Sequence, residues 1–188
     1  MAFEPTMELY RAVTPGRGAC WFGSNGSQRF DLRPPRGTCY AATTIETAIR
    51  EKMRRRILGH GIPPDVIPTI EVHRIHLPRP GEYANTAHAH AVRHGANREL
   101  SASTDYELTR QWAEAFAAAQ FDGIFYASRF TSEMACNSVA VFGDAGETDD
   151  GSEEVLKGLD AIHAAGMQDM LTPPIRSRQA AIRRPPPI

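Results

Sequence analysis

Apolar and polar positions follow two periods along the chain, and these separate strands from helices. The first strand is predicted at Met7 to Val13, with Leu9 and Tyr10 at its centre. Pro15-Gly16-Arg17-Gly18 breaks it, and Gly23 to Gln28 is a polar loop ahead of Arg29-Phe30-Asp31-Leu32. Gly37 to Ala41 reads as a short buried strand after the Pro34-Pro35 turn. Val66 to Leu77 reads as one long strand or two short ones, interrupted by Pro68. Gly123 to Ser128 and Ser138 to Phe142 read as closing strands.

The helical period is clearest after Thr43 and Thr44, either of which can cap a helix. Ile45, Ala48, Ile49, Met53 and Ile57 form its apolar stripe, Arg54, Arg55 and Arg56 suit its C-terminal dipole, and Gly59 is expected to end it. A second helix starts at Thr104 or Asp105, with Leu108, Trp112, Ala115, Phe116 and Ala119 predicted on its buried face. Ser152 to Met170 has helical periodicity through Val155, Leu156, Leu159, Ile162 and Met167. Gly81 to Ser103 gives no clear pattern. Strands separated by unequal stretches point to an α+β fold rather than a repeating βαβ sheet. One domain is expected over residues 1–171, followed by an extended Pro/Arg-rich tail at 172–188.

Composition narrows the function classes. Lys plus Arg (21) nearly balance Asp plus Glu (22), so nothing predicts nucleic-acid contact or a polybasic membrane anchor. No apolar run approaches the roughly 20 residues that span a bilayer. The start, Met1 to Pro5, lacks the pattern of a signal peptide. Cys20, Cys39 and Cys136 are too few and too scattered for a disulfide framework or a zinc site. A reducing cytoplasm is the expected setting. His73, His76, His88, His90 and His94 match no zinc spacing, so no metal is expected.

Four segments carry polar residues that a plain core element would not need. Arg11 in the first strand either faces solvent or meets an anion. Arg29 follows a loop that could cradle an anion, without P-loop or dinucleotide-fold spacing. Tyr40 ends a buried strand, and Glu51 sits at the edge of the first helix's apolar stripe. Glu51 could reach a cleft at the strand's end, or pair with Arg55 at i,i+4 for about 0.3–0.5 kcal/mol. Tyr126 and Ser128 share a face, and no Gly-x-Ser-x-Gly elbow makes Ser128 a nucleophile.

In order and spacing these segments resemble the RES family of NAD-degrading toxins from RES–Xre toxin–antitoxin pairs. Leu9-Tyr10-Arg11 is similar to the family's opening strand, and Arg29-Phe30-Asp31 to its second arginine segment. Thr38-Cys39-Tyr40-Ala41 with Glu46, Ala48 and Glu51 resembles its tyrosine strand and glutamate helix. Asp105-Tyr106 with Thr109, Trp112 and Ala113 resembles its later helix, and Asp122 to Arg129 and Ala140 to Phe142 its closing strands. Phe30-Asp31 departs from the family's usual Trp-Asn, and Ser101, Ser103 and Thr109 compete with Ser128 as the family serine.

The resemblance implies a fold like the ADP-ribosyltransferases, a split, mainly antiparallel sheet with surrounding helices. It implies cleavage of NAD between nicotinamide and ribose, with no cofactor beyond NAD as substrate. Glu51 and Arg11 would be catalytic, and Arg11, Arg29, Tyr40 and Ser128 would bind NAD. The implied partner is an Xre-like antitoxin, and a homo-oligomer is compatible with the sequence. Two other classes stay open: a mono-ADP-ribosyltransferase acting on a macromolecule, and a non-enzymatic module binding partners through the Pro/Arg tail.

Overall fold

The computed structural model describes residues 2–3, 8–54, 61–76, 81–97, 99–132, 137–147 and 152–171. Among the described residues, ten strands form in chain order. They are β1 (Ala2–Phe3), β2 (Leu9–Val13), β3 (Trp21–Phe22), β4 (Arg36–Ala42), β5 (Glu71–Ile75), β6 (Gly81–Asn85), β7 (Gly123–Tyr126), β8 (Ser138–Asp144), β9 (Gly146–Glu147) and β10 (Ser152–Lys157). The α-helices are α1 (Ile45–Met53), α2 (Glu99–Ala102), α3 (Tyr106–Ala118) and α4 (Gly158–Ala164).

Eight strands make one sheet, in the order β1-β6-β7-β8-β4-β2-β5-β10, and β3 and β9 form a separate ribbon. All the pairings are antiparallel except β6 with β7. β4 and β8 pair along seven residues, whereas β2 meets β4 only where Tyr10 faces Ala42. The sheet therefore splits beyond that pair, and residues 11–14 diverge from β4. This is the expected mainly antiparallel α+β architecture.

The two faces of the sheet are built differently. On one face, Ile49 and Met53 of α1 and Ile162 of α4 pack on Ile70 and Val72. Farther along the same face, Ala113 and Ala117 of α3 pack on Ile124, Tyr126, Ala140 and Phe142. The other face buries Leu9, Cys39, Ala41, Ile75, Phe125 and Val139. Successive strand residues point to opposite faces, so Tyr10 and Tyr40 face the helices while Arg11 and Cys39 face away.

Several elements depart from expectation. Thr44 caps α1, accepting from the Thr47 N–H, but the helix stops at Met53 because Arg54 turns to a positive φ of 50°. The expected continuation through Arg55, Arg56, Ile57 and Gly59 lies outside the described residues. In α3 the buried face is Thr109, Ala113 and Ala117; Leu108, at 45% exposure, points outward. The bulky residues suggested a stripe one position away, but small side chains let this helix close on the sheet. Trp112 and Phe116 stack on its flank, with ring centroids 5.5 Å apart.

Ser152 to Lys157 is strand, not helix. It pairs with the open edge of β5, with an irregularity between Glu154 and Leu156, and Gly158 (φ 51°) turns the chain into α4. Short apolar runs do not separate the two periods, and an unpaired sheet edge decides for strand. Gly81 to Ser103 holds β6, a 3-10 turn at Ala91–His94 and α2. Pro68 sits in a 3-10 turn ahead of β5. The tail at 172–188 and Cys136 lie outside the described residues.

Candidate active site

Residues 28–32 form no regular element, yet Phe30, Asp31 and Leu32 are almost fully buried. Side chains supply the partners that a ladder would otherwise give. The Tyr40 hydroxyl accepts from the Phe30 N–H at 2.8 Å and donates to Asp31 Oδ1 at 3.0 Å. Asp31 Oδ2 accepts from the Gln28 N–H at 3.0 Å. The Thr38 hydroxyl donates to the Phe30 carbonyl at 2.7 Å and accepts from the Leu32 N–H at 3.2 Å. From α3, the Thr109 hydroxyl donates to the Arg29 carbonyl at 2.7 Å. This fastening fixes where Arg29 emerges.

Arg29 is itself buried. Its guanidinium lies over the Tyr106 ring at 5.4 Å, and its Nε has no hydrogen-bond partner. Burial, and then the neighbouring Arg129 charge, weaken its hold on its proton. A buried arginine with an unused N–H suits an incoming anion.

Glu51 lies across the same pocket on α1. Its Oε1 accepts from the Ser128 hydroxyl at 2.6 Å. That hydroxyl also accepts from the Phe130 N–H at 3.1 Å, so its proton is directed at the carboxylate. Burial raises the Glu51 pKa above its ordinary value, opposed by the Ser128 hydrogen bond and then by Arg29, Arg54 and Arg129. The carboxylate is thus desolvated but surrounded by cations. Ser128 follows the end of β7, and Asn137 anchors it: Asn137 Oδ1 accepts from the Ser128 N–H at 2.8 Å, and its Nδ2 donates to the Thr131 hydroxyl at 2.8 Å. Tyr40 and Tyr126 complete the wall. Burial pushes both phenols well above their ordinary pKa, so they remain protonated donors.

Arg29, Tyr40 and Glu51 therefore line one pocket, and Ser128 joins them through its hydrogen bond to Glu51. Arg11 does not join them. It projects from the other face into the split of the sheet, where Nη1 donates to the Ala19 carbonyl (2.8 Å), the Trp21 carbonyl (3.0 Å) and Cys39 Sγ (2.9 Å). The two regions are bridged. A cavity of about 550 Å³ around Arg11 and one of about 790 Å³ beside Glu51 share Thr14 and Lys52.

Sequence reading assigned no site role to Arg54, Arg129, Asp31 or Asn137, and named Thr109 only as a rival of Ser128 for the family serine; the Thr109 hydroxyl instead fastens the Arg29 carbonyl. Arg54 ends α1 three residues after Glu51, and its guanidinium donates to the Gln28 amide oxygen. Thr109 acts through a backbone carbonyl 80 residues away, which no local pattern reveals, whereas Asp31 and Asn137 sit in loops that carry no period and bond groups three to nine residues away. Among the described residues, no group of three His, Cys, Asp or Glu side chains could hold a metal, and no helix is long and apolar enough to cross a membrane.

Fold and site together define a split-sheet α+β protein with a partly buried, cation-ringed glutamate at the sheet's cleft. The RES-domain family model matches residues 8–157, most of the chain, and the chain belongs to that family. Among solved structures, the M. tuberculosis MbcT–MbcA toxin–antitoxin complex contains a chain with the same fold. The likeness has a TM-score of 0.58 at 11% identity, and it covers 90% of this chain and 91% of that one. No curated protein matches the chain.

Proposed function

We propose that the protein is a toxin-type enzyme that consumes NAD by breaking the bond between nicotinamide and ribose. The observation that carries this is the pairing, in one pocket, of the partly buried Glu51 carboxylate with Arg29, whose buried Nε is unused. In the reaction the C1′–N bond breaks, and its electron pair leaves with nicotinamide, neutralising the pyridinium. Positive charge then builds on the ribose, as in other oxocarbenium-like cleavages. Glu51 stabilises that charge from a partly desolvated position. An oxygen of water or phosphate bonds to C1′, giving ADP-ribose or its 1″-phosphate, and water loses a proton in doing so.

Arg29 takes one phosphate of the substrate, and Arg11, from the split, reaches the other. Ser128 orients Glu51, and the Tyr40 ring lines the pocket while its hydroxyl holds the Arg29 segment. Membership of the RES-domain family and the toxin–antitoxin complex among similar structures support a toxin role with a cognate antitoxin protein as partner.

The test is NAD concentration over time with purified protein, with and without phosphate, read by mass spectrometry. Free nicotinamide should appear, at a rate at least 100-fold lower in Glu51→Gln, and the second product identifies the acceptor. Unchanged turnover in Glu51→Gln would refute the site. Label from NAD on a protein or nucleic acid would replace degradation with ADP-ribosyl transfer.

A further inference from the structure

The cavity in the split of the sheet has a lining unlike that of the Glu51 pocket. Its walls include Arg11, Thr14, Arg17, Trp21, Lys52 and Glu147. Trp21 is 53% exposed, although the adjacent Cys20 is buried. β3 holds it in place by pairing with β9, Trp21 opposite Glu147. Of the exposed large apolar side chains among the described residues, Trp21 is the one on the wall of this charged cavity. An indole fixed at the mouth of a cationic cavity is a stacking platform for a flat ring carrying a phosphate.

The charged groups are arranged for such a ligand. All three hydrogen bonds of Arg11 leave from Nη1, so Nε and Nη2 make none among the described residues. Arg17 stands at the lip on a tight turn, its N–H donating to the Thr14 carbonyl at 3.1 Å, with Gly16 at a positive φ of 79°. Lys52 Nζ donates to the Thr14 hydroxyl at 2.9 Å, which places a third cation on the wall. Glu147 lies directly over Gly18, where a Cβ would come within 1.7 Å of the carboxylate oxygen. Glycine there leaves the carboxylate inside the cavity. The volume of about 550 Å³ is in the range of small-molecule sites. Thr14 and Lys52 also line the cavity beside Glu51, so one extended ligand can run between the two regions.

We infer that this cavity takes the adenylate half of the dinucleotide. Trp21 stacks the purine, Arg11, Arg17 and Lys52 hold the phosphate, and Glu147 accepts from the ribose hydroxyls. This assignment rests on the NAD reading above. It adds to that reading a residue, Trp21, that sets purine recognition, and an orientation, with nicotinamide at Glu51 and adenine at the split.

The chain has two tryptophans, so Trp112→Phe leaves Trp21 as the single indole reporter. In that variant AMP should quench the fluorescence saturably, and nicotinamide mononucleotide should not. Calorimetry should show AMP binding about tenfold weaker in Trp21→Ala, the size of one base–aromatic stack. Arg17→Ala should weaken AMP but leave adenosine unchanged. Both side chains are exposed, and circular dichroism checks the fold. The inference is overturned if AMP leaves Trp21 fluorescence unchanged, if nicotinamide mononucleotide quenches it equally, or if Trp21→Ala binds AMP as tightly as wild type. If AMP quenches Trp21 but wild type consumes no NAD, the purine site stands and the cleavage reading falls. If NAD is consumed while AMP leaves Trp21 silent, the purine assignment alone is lost.

Discussion

Replacing Tyr40 with phenylalanine removes one oxygen and tests how the Arg29 segment is held. The hydroxyl accepts from the Phe30 N–H at 2.8 Å and donates to Asp31 Oδ1 at 3.0 Å. Phe30 is 0% and Asp31 1% exposed, so neither group can turn to solvent when its partner goes. A buried N–H left without a partner costs about 1–3 kcal/mol, and a hydrogen bond to a charged group contributes about 1.5–3 kcal/mol. Asp31 keeps its bond from the Gln28 N–H, which limits its loss. The two terms share one oxygen and are not strictly additive, so the expected cost is roughly 2–5 kcal/mol. For a chain of this length that lowers Tm by on the order of 10 °C. NAD turnover should fall as well, because Arg29 adjoins the loosened Phe30. The assay is thermal unfolding by circular dichroism, with turnover measured on the same preparation well below the new midpoint. A Tm within about 2 °C of wild type would refute the argument. It would mean that Thr38 and Thr109 hold the segment without the phenol.

Three further outcomes follow from the same geometry. Ser128→Ala removes the hydrogen bond that opposes the effect of burial on Glu51, so the acid limb of the pH–activity profile should move to higher pH; an unmoved limb would detach Ser128 from the carboxylate. Because the folded-state pKa of Glu51 is raised, its contribution to stability is greatest below the unfolded pKa and is lost as pH rises through the folded one. Glu51→Gln should therefore melt higher than wild type near pH 8 and level with it near pH 4, and a gain confined to the acid side would reverse that sign. Gly123→Ala would put a Cβ 2.2 Å from the Ala140 carbonyl oxygen and 2.7 Å from the Tyr83 ring, so urea unfolding should show a loss of about 3 kcal/mol, against none if β7 can shift away from β8.

Much of the fold was legible because its strongest signals were local. Thr44 capping Ile45–Met53, Asp105 capping Tyr106–Ala118, and the closing strands were readable from cap chemistry and period. Failures arose where tertiary context outweighed the period. Ser152 to Lys157 carries apolar residues compatible with either element, and only the open edge of β5 makes it a strand. The face of α3 was misjudged because hydrophobicity ranks Leu108 and Trp112 above Ala113 and Ala117. Burial follows instead from how closely the helix can approach the sheet, and small residues permit the closest approach.

The site shows the same division at a finer scale. Arg29 after a polar loop, Glu51 at the edge of an apolar stripe, and Tyr40 and Ser128 at the ends of strands could be singled out as candidates, because polar groups beside a core need a reason to be there. Their convergence could not be read from the chain, since the Glu51–Ser128 bond spans 77 residues and the Thr109–Arg29 bond spans 80. Arg11 shows the converse. As a neighbour of Tyr10 on a strand it must point away from the helix-covered face that carries Tyr40, so it cannot join Glu51 through the sheet. It can act on the same ligand only because β2 leaves β4 after a single pair, opening a path at Thr14 and Lys52. In the proposed binding mode, the split is thus what lets residues on opposite faces reach one extended substrate. Filling it, for example by extending the β2–β4 pairing past Tyr10, would separate the Arg11 cavity from the Glu51 pocket without altering a side chain in either.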